Sequence, residues 1–194
     1  IGGDSSDGDF DGAQATGLNA VALGADSASS GEVSVALGGG SSASASNAVA
    51  IGRDADANGD NSFALGAFSE AGVSGVAIGD QSKAIGQNSV ALGRFGSAGG
   101  DDSFAMGLNA DASARNAVAI GRGTVANGAN SFALGAFSQA SVSGVAIGNQ
   151  SQATGQTAIA LGRFGSAGGD NSVAMGLNAD ASAINAVEIG RAHV

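Results

Sequence analysis

The stretch NSFALGAFSEAGVSGVAIG, residues 61–79, contains the pattern that decides the fold. Within it, a motif of one large apolar residue, Ala, Leu or Ile, and then Gly occurs twice, ending at Gly66 and Gly79. The chain contains thirteen copies of this motif. Met replaces Leu or Ile in some copies, and Glu188 replaces the Ala in the last one. The copies end at Gly24, Gly38, Gly52, Gly66, Gly79, Gly93, Gly107, Gly121, Gly135, Gly148, Gly162, Gly176 and Gly190. The step between successive glycines is constant except at Gly79 and Gly148, which each follow one residue early. A fixed short period is the sequence signature of a repeat architecture.

A second signal lies between the glycines. Small residues recur three and five positions after most motif glycines, as Ser69 and Ala71 do after Gly66. Because side chains of a β-strand alternate between its two faces, this spacing predicts a short strand of the form S-x-A. Each repeat therefore reads as two strands, V-A-L and S-x-A, joined by corners in which Gly and Asn tolerate left-handed backbone.

A repeat this short cannot enclose a core alone, so the repeats must stack as the coils of a solenoid of parallel strands. The V-A-L strand is apolar at consecutive positions, which is typical of a strand covered on both faces. We expect Ile51, Leu65 and Ile78 to lie in a closed stack where a charge would not be tolerated. The S-x-A strand alternates with polar residues, so one of its faces should be wet.

The apolar sheet needs a cover that the rest of the chain does not supply, and an identical copy is the simplest source. The sequence therefore predicts an oligomer, although composition does not fix its order. The residues expected to form the core or the interface of the oligomer are Val21, Ala22, Leu23, Val49, Ala50, Ile51, Phe63, Ala64, Leu65, Val90, Ala91, Leu92, Val118, Ala119 and Ile120.

The array contains an internal duplication: residues 61–122 recur almost unchanged as residues 130–191. We expect one head domain over residues 17–194. Residues 1–16, which carry four aspartates among glycines, are either a lead-in segment or a ragged first coil.

Composition excludes several classes of function. Gly accounts for 35 of 194 residues, more than twice its average usage of about 7 %, and the chain has no Cys and one His. Cysteine and histidine chemistry is thereby removed, so we expect neither an enzyme nor a cofactor or metal site. The net charge of −10 argues against a nucleic acid partner, because phosphates would be repelled.

Charged residues recur at two places in the repeat. Five of the seven basic residues directly follow a motif glycine; the simplest interpretation is pairing with carboxylates such as Asp54 and Asp80, and the alternative is a charge ladder that meets a ligand. The possible ligand surface comprises Arg53, Asp56, Glu70, Lys83, Arg94, Asp111, Arg122 and Arg163. Four phenylalanines, each two residues past a motif glycine, are expected to pack over the corner or between chains, and the alternative is that they are exposed anchors for a partner. They are Phe68, Phe95, Phe137 and Phe164.

The repeats NSFALGAFSEA (61–71), NSVALGRFGSA (88–98) and NAVAIGRGTVA (116–126) resemble the YadA-like head of trimeric autotransporter adhesins. The resemblance implies an all-β, left-handed parallel β-roll of about thirteen coils, assembled as a homotrimer. It also implies a place on the bacterial outer-membrane surface and binding to host matrix proteins such as collagen, fibronectin or laminin, or to a cell-surface receptor. Contact with the membrane is expected only through a C-terminal anchor that this sequence lacks.

Two alternatives bear on the function. A calcium-binding β-roll needs G-G-x-G-x-D at every short repeat, whereas Gly99-Gly100-Asp101 recurs only once, as Gly168-Gly169-Asp170, so this class is disfavoured. A passive rigid spacer that holds another adhesive domain away from the membrane remains an alternative to an adhesive head.

Overall fold

The computed structural model of the chain describes residues 12–190. Across these residues the chain forms 26 β-strands, in which strands of two and three residues alternate. The prediction of two short strands per repeat is therefore confirmed. The architecture is an all-β parallel solenoid of about 13 turns of ~14 residues.

The first compact unit spans Ile1–Gly96 and is called unit 1. Its two-residue strands form sheet A in the order β1-β3-β5-β7-β9-β11, and its three-residue strands form sheet B in the order β2-β4-β6-β8-β10-β12. The strands are β1 (Gln14–Ala15), β2 (Val21–Leu23), β3 (Ala28–Ser29), β4 (Val35–Leu37), β5 (Ser42–Ala43), β6 (Val49–Ile51), β7 (Asp56–Ala57), β8 (Phe63–Leu65), β9 (Glu70–Ala71), β10 (Val76–Ile78), β11 (Lys83–Ala84) and β12 (Val90–Leu92). Strand β1 shows that the coils begin before residue 17.

The second compact unit spans Ser97–Val194 and is called unit 2. Odd-numbered strands again form sheet A and even-numbered strands form sheet B, all parallel. The strands are β13 (Ser97–Ala98), β14 (Phe104–Met106), β15 (Asp111–Ala112), β16 (Val118–Ile120), β17 (Val125–Ala126), β18 (Phe132–Leu134), β19 (Gln139–Ala140), β20 (Val145–Ile147), β21 (Gln152–Ala153), β22 (Ile159–Leu161), β23 (Ser166–Ala167), β24 (Val173–Met175), β25 (Asp180–Ala181) and β26 (Val187–Ile189). Residues 1–11 and 191–194, which include Arg191 and much of the expected lead-in segment, lie outside the described residues.

Each strand residue pairs with the residue at the equivalent position of the next coil. Ala64 of β8 pairs with Ala50 of β6 on one side and with Ala77 of β10 on the other. A coil that is one residue shorter keeps this register because the missing residue belongs to a corner and not to a strand. Four residues separate Ala71 from Val76, whereas five separate Ala57 from Phe63. The strands therefore stack in phase whether a coil has its full length or is one residue shorter.

Small side chains fill the interior of each coil. In the coil of β8 and β9, the inward residues Ser62, Ala64, Ser69 and Ala71 are all buried. Every buried apolar residue among those described is an alanine. The two sheets of a coil therefore approach closely, and the inside of the solenoid has no room for a leucine or a phenylalanine.

The expectation that Ile51, Leu65 and Ile78 lie in a closed stack within the chain is wrong. The central alanine of each V-A-L strand points inward, and the flanking large residues point outward, so that Leu65 and Ile78 are each 36 % exposed. The physical reason is the strand period of two, which puts the first and third residues on one face and the second on the other. The run of three apolar residues concealed this alternation because alanine is apolar as well.

Several of the hydroxyl groups inside the coils are hydrogen-bonded to the corners. The Oγ of Ser69 donates to the carbonyl of Gly66 at 2.8 Å, and Ser138 donates to Gly135 at 2.9 Å. Thr124 also donates to the carbonyl of Gly135, at 2.6 Å. These residues have a hydrogen-bonded hydroxyl inside the coil. Among the described residues, the buried hydroxyls of Ser62, Ser103, Ser131 and Ser172 have no hydrogen-bond partner.

The corner that follows each sheet B strand is called the first corner, and it needs unusual backbone. Gly66 has φ +138°, and a Cβ on it would lie 2.3 Å from the carbonyl oxygen of Gly79 in the next coil. Two residues later, Phe68 adopts the left-handed conformation with φ 55°. The glycine is required by close approach as well as by its own dihedral angles.

The described residues contain no helix of the length and apolarity needed to cross a membrane.

Candidate functional site

The outer face of sheet B is a continuous apolar surface in each unit. In unit 1 it is formed by the first and third residues of each three-residue strand, from Val35 and Leu37 to Val90 and Leu92, all of which are half-buried or exposed. In unit 2 the same positions are occupied by Phe, Val, Ile, Leu and Met, as in Phe132 and Leu134. Among residues 12–190, no segment of either unit packs over this face, so each unit has a band of large apolar side chains that are half-buried or exposed.

The residues predicted for the core or the interface divide into two sets. Ala50, Ala64, Ala91 and Ala119 are fully buried inside the coils, and Ala22 is half-buried in the first sheet B strand. The larger residues lie on the outer face of sheet B, half-buried or exposed: Val21, Leu23, Val49, Ile51, Phe63, Leu65, Val90, Leu92, Val118 and Ile120.

The outer face of sheet A carries the polar residues that the S-x-A pattern predicted. In unit 1, the Lys83 ammonium lies 3.4 Å from the Glu70 carboxylate of the coil before it. Burial, and then the nearby charge of Glu70, raise the pKa of the Asp56 carboxyl above its usual value. In unit 2, burial raises the pKa of Asp111. The charges of this face therefore interact from coil to coil.

The first corners bring arginine and phenylalanine together. The Arg53 guanidinium lies over the Phe68 ring at 4.6 Å from its centroid, and Arg94 lies over Phe95 at 5.1 Å. In unit 2, Arg122 lies over Phe137 at 4.8 Å, and Arg163 over Phe164 at 4.6 Å. Contacts of this kind are worth about 0.5–1 kcal/mol at exposed sites.

The pairing of these arginines with carboxylates was predicted, and it occurs at Arg53, whose Nε lies 3.7 Å from Asp54. Stacking on phenylalanine was not predicted. Two of the four pairs are adjacent in sequence, but Arg53–Phe68 and Arg122–Phe137 are each separated by one coil plus one residue. The spacing of one coil plus one residue is visible in the sequence. Because equivalent positions of successive coils pair, this spacing brings an arginine of one coil against a phenylalanine of the next.

No group of three or more His, Cys, Asp or Glu residues within 12–190 is placed to hold a metal ion. The arrangement instead offers non-covalent contacts: an apolar face, a polar face and a corner with arginine and aromatic side chains.

The fold, with its glycine corners and its two sheets in register, defines a parallel β-solenoid built from stacked coils. The model of the YadA head domain repeat, which spans two copies of the repeat, matches the chain at residues 11–27, 15–41, 29–55, 43–69, 71–95, 98–124, 112–138, 140–164 and 167–190. The chain belongs to the YadA head domain family, and it is an adhesin-type head domain, in kind a non-enzymatic class of protein.

Among solved structures, the chain is similar to the collagen-binding domain of the Yersinia adhesin YadA. The sequence identity is 23 %, the match covers 100 % of this chain and 80 % of that chain, and the TM-score is 0.35. A search of curated proteins gave no match.

Proposed function

We propose that the chain is the adhesive head of a trimeric autotransporter adhesin, displayed on the bacterial outer-membrane surface. In this proposal three copies assemble as left-handed rolls, and their outward surfaces attach the bacterium to host extracellular-matrix or cell-surface molecules. The Yersinia domain is described as collagen-binding. Collagen, fibronectin and laminin are the probes for this chain.

The observation that carries the proposal is the repetition of family repeats along both units together with the open apolar face of sheet B. Large apolar residues normally lie inside a domain, whereas here alanine fills the inside and the large residues lie outside. Covering this face with other copies of the chain removes it from water, which favours assembly. Attachment then falls to the surfaces that remain exposed, and repetition lets many weak contacts act together.

Assembly is tested by light scattering of the purified chain. We expect a mass of three times 18.1 kDa. Replacing Ile51 and Ile120 by Asp puts charges on the outer face of sheet B and should dissociate the trimer. The matched control is Asn61→Asp with Asn130→Asp, which adds the same two charges at exposed corners. A wild-type chain that stays monomeric at all concentrations contradicts the trimer.

Attachment is tested by binding of the assembled protein to immobilised collagen, fibronectin and laminin, with albumin as the negative surface. An adhesive head should give saturable binding to at least one matrix protein, and the binding should weaken when the trimer is dissociated by Ile51→Asp and Ile120→Asp. A folded trimer that binds none of them points to the alternative function, a passive rigid spacer.

A further inference from the structure

The first corners of unit 2 form a continuous ridge. We call Arg122, Phe137, Gln150, Arg163 and Phe164 the Arg–Phe ridge. Successive corners are joined by backbone hydrogen bonds: Phe137 N–H donates to Arg122 O at 2.9 Å, Gln150 N–H to Ala136 O at 2.9 Å, and Phe164 N–H to Asn149 O at 3.0 Å. With a rise of about 4.8 Å per coil, the two arginine corners, three coils apart, lie about 14 Å apart along the ridge.

The phenylalanines of the ridge are unfavourable choices for the fold itself. Phe137 and Phe164 have φ 59° and 58°, a left-handed conformation that bulky residues adopt at a cost. Asn109 and Asn178, at the same position in other coils, suit it better. Phe137 is also 46 % exposed, so burial offsets little of the cost. Phe164 is half-buried. A strained aromatic side chain that is also exposed, as Phe137 is, is typical of contact sites for other molecules.

The charge around the ridge is opposite in sign to that of the whole chain. Residues 112–165 contain Arg115, Arg122 and Arg163 and no acidic residue, although the chain carries −10. In the equivalent residues 43–96, three basic residues are accompanied by five acidic ones. Asp54 pairs with Arg53 there, whereas unit 2 has Gly123 at that position, and Asp80 is replaced by Asn149. The unit 2 ridge is therefore complementary to an anion.

The side chains, not the backbone, are available for recognition. The corner N–H groups of Phe137, Gln150 and Phe164 already donate to the preceding coil, so an added peptide strand has no free donors to pair with there. A guanidinium stacked on a ring still presents its N–H edge for two parallel bonds to a sulfate or carboxylate. The amide of Gln150 donates one N–H to Asn149 Oδ1 at 3.4 Å, and its second N–H and its oxygen can still donate to and accept from sugar hydroxyls.

We propose that the Arg–Phe ridge of unit 2 binds a sulfated polysaccharide. Arg122 and Arg163 hold its anionic groups, Phe137 and Phe164 pack against the C–H faces of its rings, and Gln150 hydrogen-bonds to its hydroxyls. The inference rests on the proposed adhesive function and names a ligand class for one surface of the head. A narrow straight ridge suits an extended unbranched chain, which spans several coils and gains from many contacts.

The test measures binding of the whole purified protein to immobilised heparin by surface plasmon resonance at near-physiological salt. Desulfated heparin and polyglutamate serve as comparison ligands, and a severalfold higher NaCl concentration tests the electrostatic contribution. We expect Arg122→Gln with Arg163→Gln to weaken binding about tenfold or more. The matched control is Arg53→Gln with Arg94→Gln in unit 1, which should weaken binding less than threefold.

A second variant separates recognition from folding. In Phe137→Asn with Phe164→Asn, a residue that accepts left-handed backbone replaces one that does not, so the thermal midpoint should be retained while heparin binding weakens several-fold. Unchanged binding by this variant overturns the role of the rings. Light scattering of the same samples shows whether the trimer persists; its loss assigns the ridge to a contact between chains and overturns the proposal.

The remaining outcomes are equally decisive. Equal losses in the unit 1 and unit 2 arginine variants, or equal binding to desulfated heparin or polyglutamate, overturn the assignment of a sulfated polysaccharide to this ridge. An assembled protein that binds collagen, fibronectin or laminin but not heparin overturns the ridge proposal and leaves the adhesive function standing. One that binds none of these ligands overturns both.

Discussion

The two units contain equivalent segments, residues 43–96 of unit 1 and residues 112–165 of unit 2, aligned so that Gly66 corresponds to Gly135. The two segments differ far more at their surface positions than at their buried positions. Their buried positions differ at two places, where Ala55 corresponds to Thr124 and Ser89 corresponds to Ala158. Their outward positions exchange all five acidic residues of unit 1 for neutral ones. The solenoid therefore fixes the size of its inward residues tightly and leaves the charge of its surface open to change.

The largest effect should come from the interior that the two units share. Ala64→Asp and Ala133→Asp each bury a carboxylate among alanines, with a cost of about 4 kcal/mol or more. The two variants should lower the thermal midpoint by similar amounts, because both alanines are fully buried between alanines of adjacent coils. Asn61→Asp and Asn130→Asp are the surface controls. A much smaller loss in one unit would show that the interiors are not equivalent.

A smaller effect is expected where the interiors differ. Thr124→Ala introduces the residue that unit 1 carries at position 55, and it removes the hydrogen bond to Gly135 and one methyl group. The carbonyl of Gly135 keeps the hydroxyl of Ser138, so we expect a loss of about 1–2 kcal/mol in urea unfolding. Thr124→Ser retains the hydroxyl and should lose less. Equal losses would assign the effect to the methyl group.

The surface charges of sheet A should contribute less still. Glu70→Gln with Lys83→Gln gives unit 1 the two glutamines that unit 2 has at positions 139 and 152. The Glu70–Lys83 pair is solvent-exposed, so the free energy of unfolding should change by no more than about 0.5 kcal/mol. The measurement is urea unfolding at low and high salt. A loss above about 1 kcal/mol that salt abolishes would show a stronger pair than exposure suggests.

The smallest effect is a dependence on pH. Because burial and the charge of Glu70 raise the pKa of Asp56, the folded state holds its proton to higher pH than the unfolded state does. The contribution of Asp56 to stability is therefore fully present below pH 3.8 and is lost as the pH rises through the raised pKa. Asp56→Asn should be more stable than wild type near neutral pH and equal to it well below pH 3.8. Val125→Asn, at the equivalent position of unit 2, should leave the pH dependence unchanged.

The sequence was sufficient for the repeat, the two strands per coil, the polar face of sheet A and the family. It was not sufficient for the direction of the large apolar residues, since Val49, Ala50 and Ile51 are all apolar and only side-chain size distinguishes the inward one. The stacking of Arg122 on Phe137 was also missed, because it depends on the offset between coils. The sequence shows which residues are charged or aromatic, but the pairing of successive coils decides which of them are in contact.

The stacking of identical positions has a genetic consequence. The duplicated block, which starts at Asn61 and starts again at Asn130, contains five coils, one of them a residue shorter, and both of its ends fall at the same point of the repeat. Unequal recombination between the gene segments that encode the two copies of the block would thus insert or remove five whole coils without disturbing the register. At about 4.8 Å per coil, each event would lengthen or shorten the solenoid by about 24 Å. A lineage that carries this gene can therefore alter the reach of the protein in one step, while point mutations adjust its surface separately.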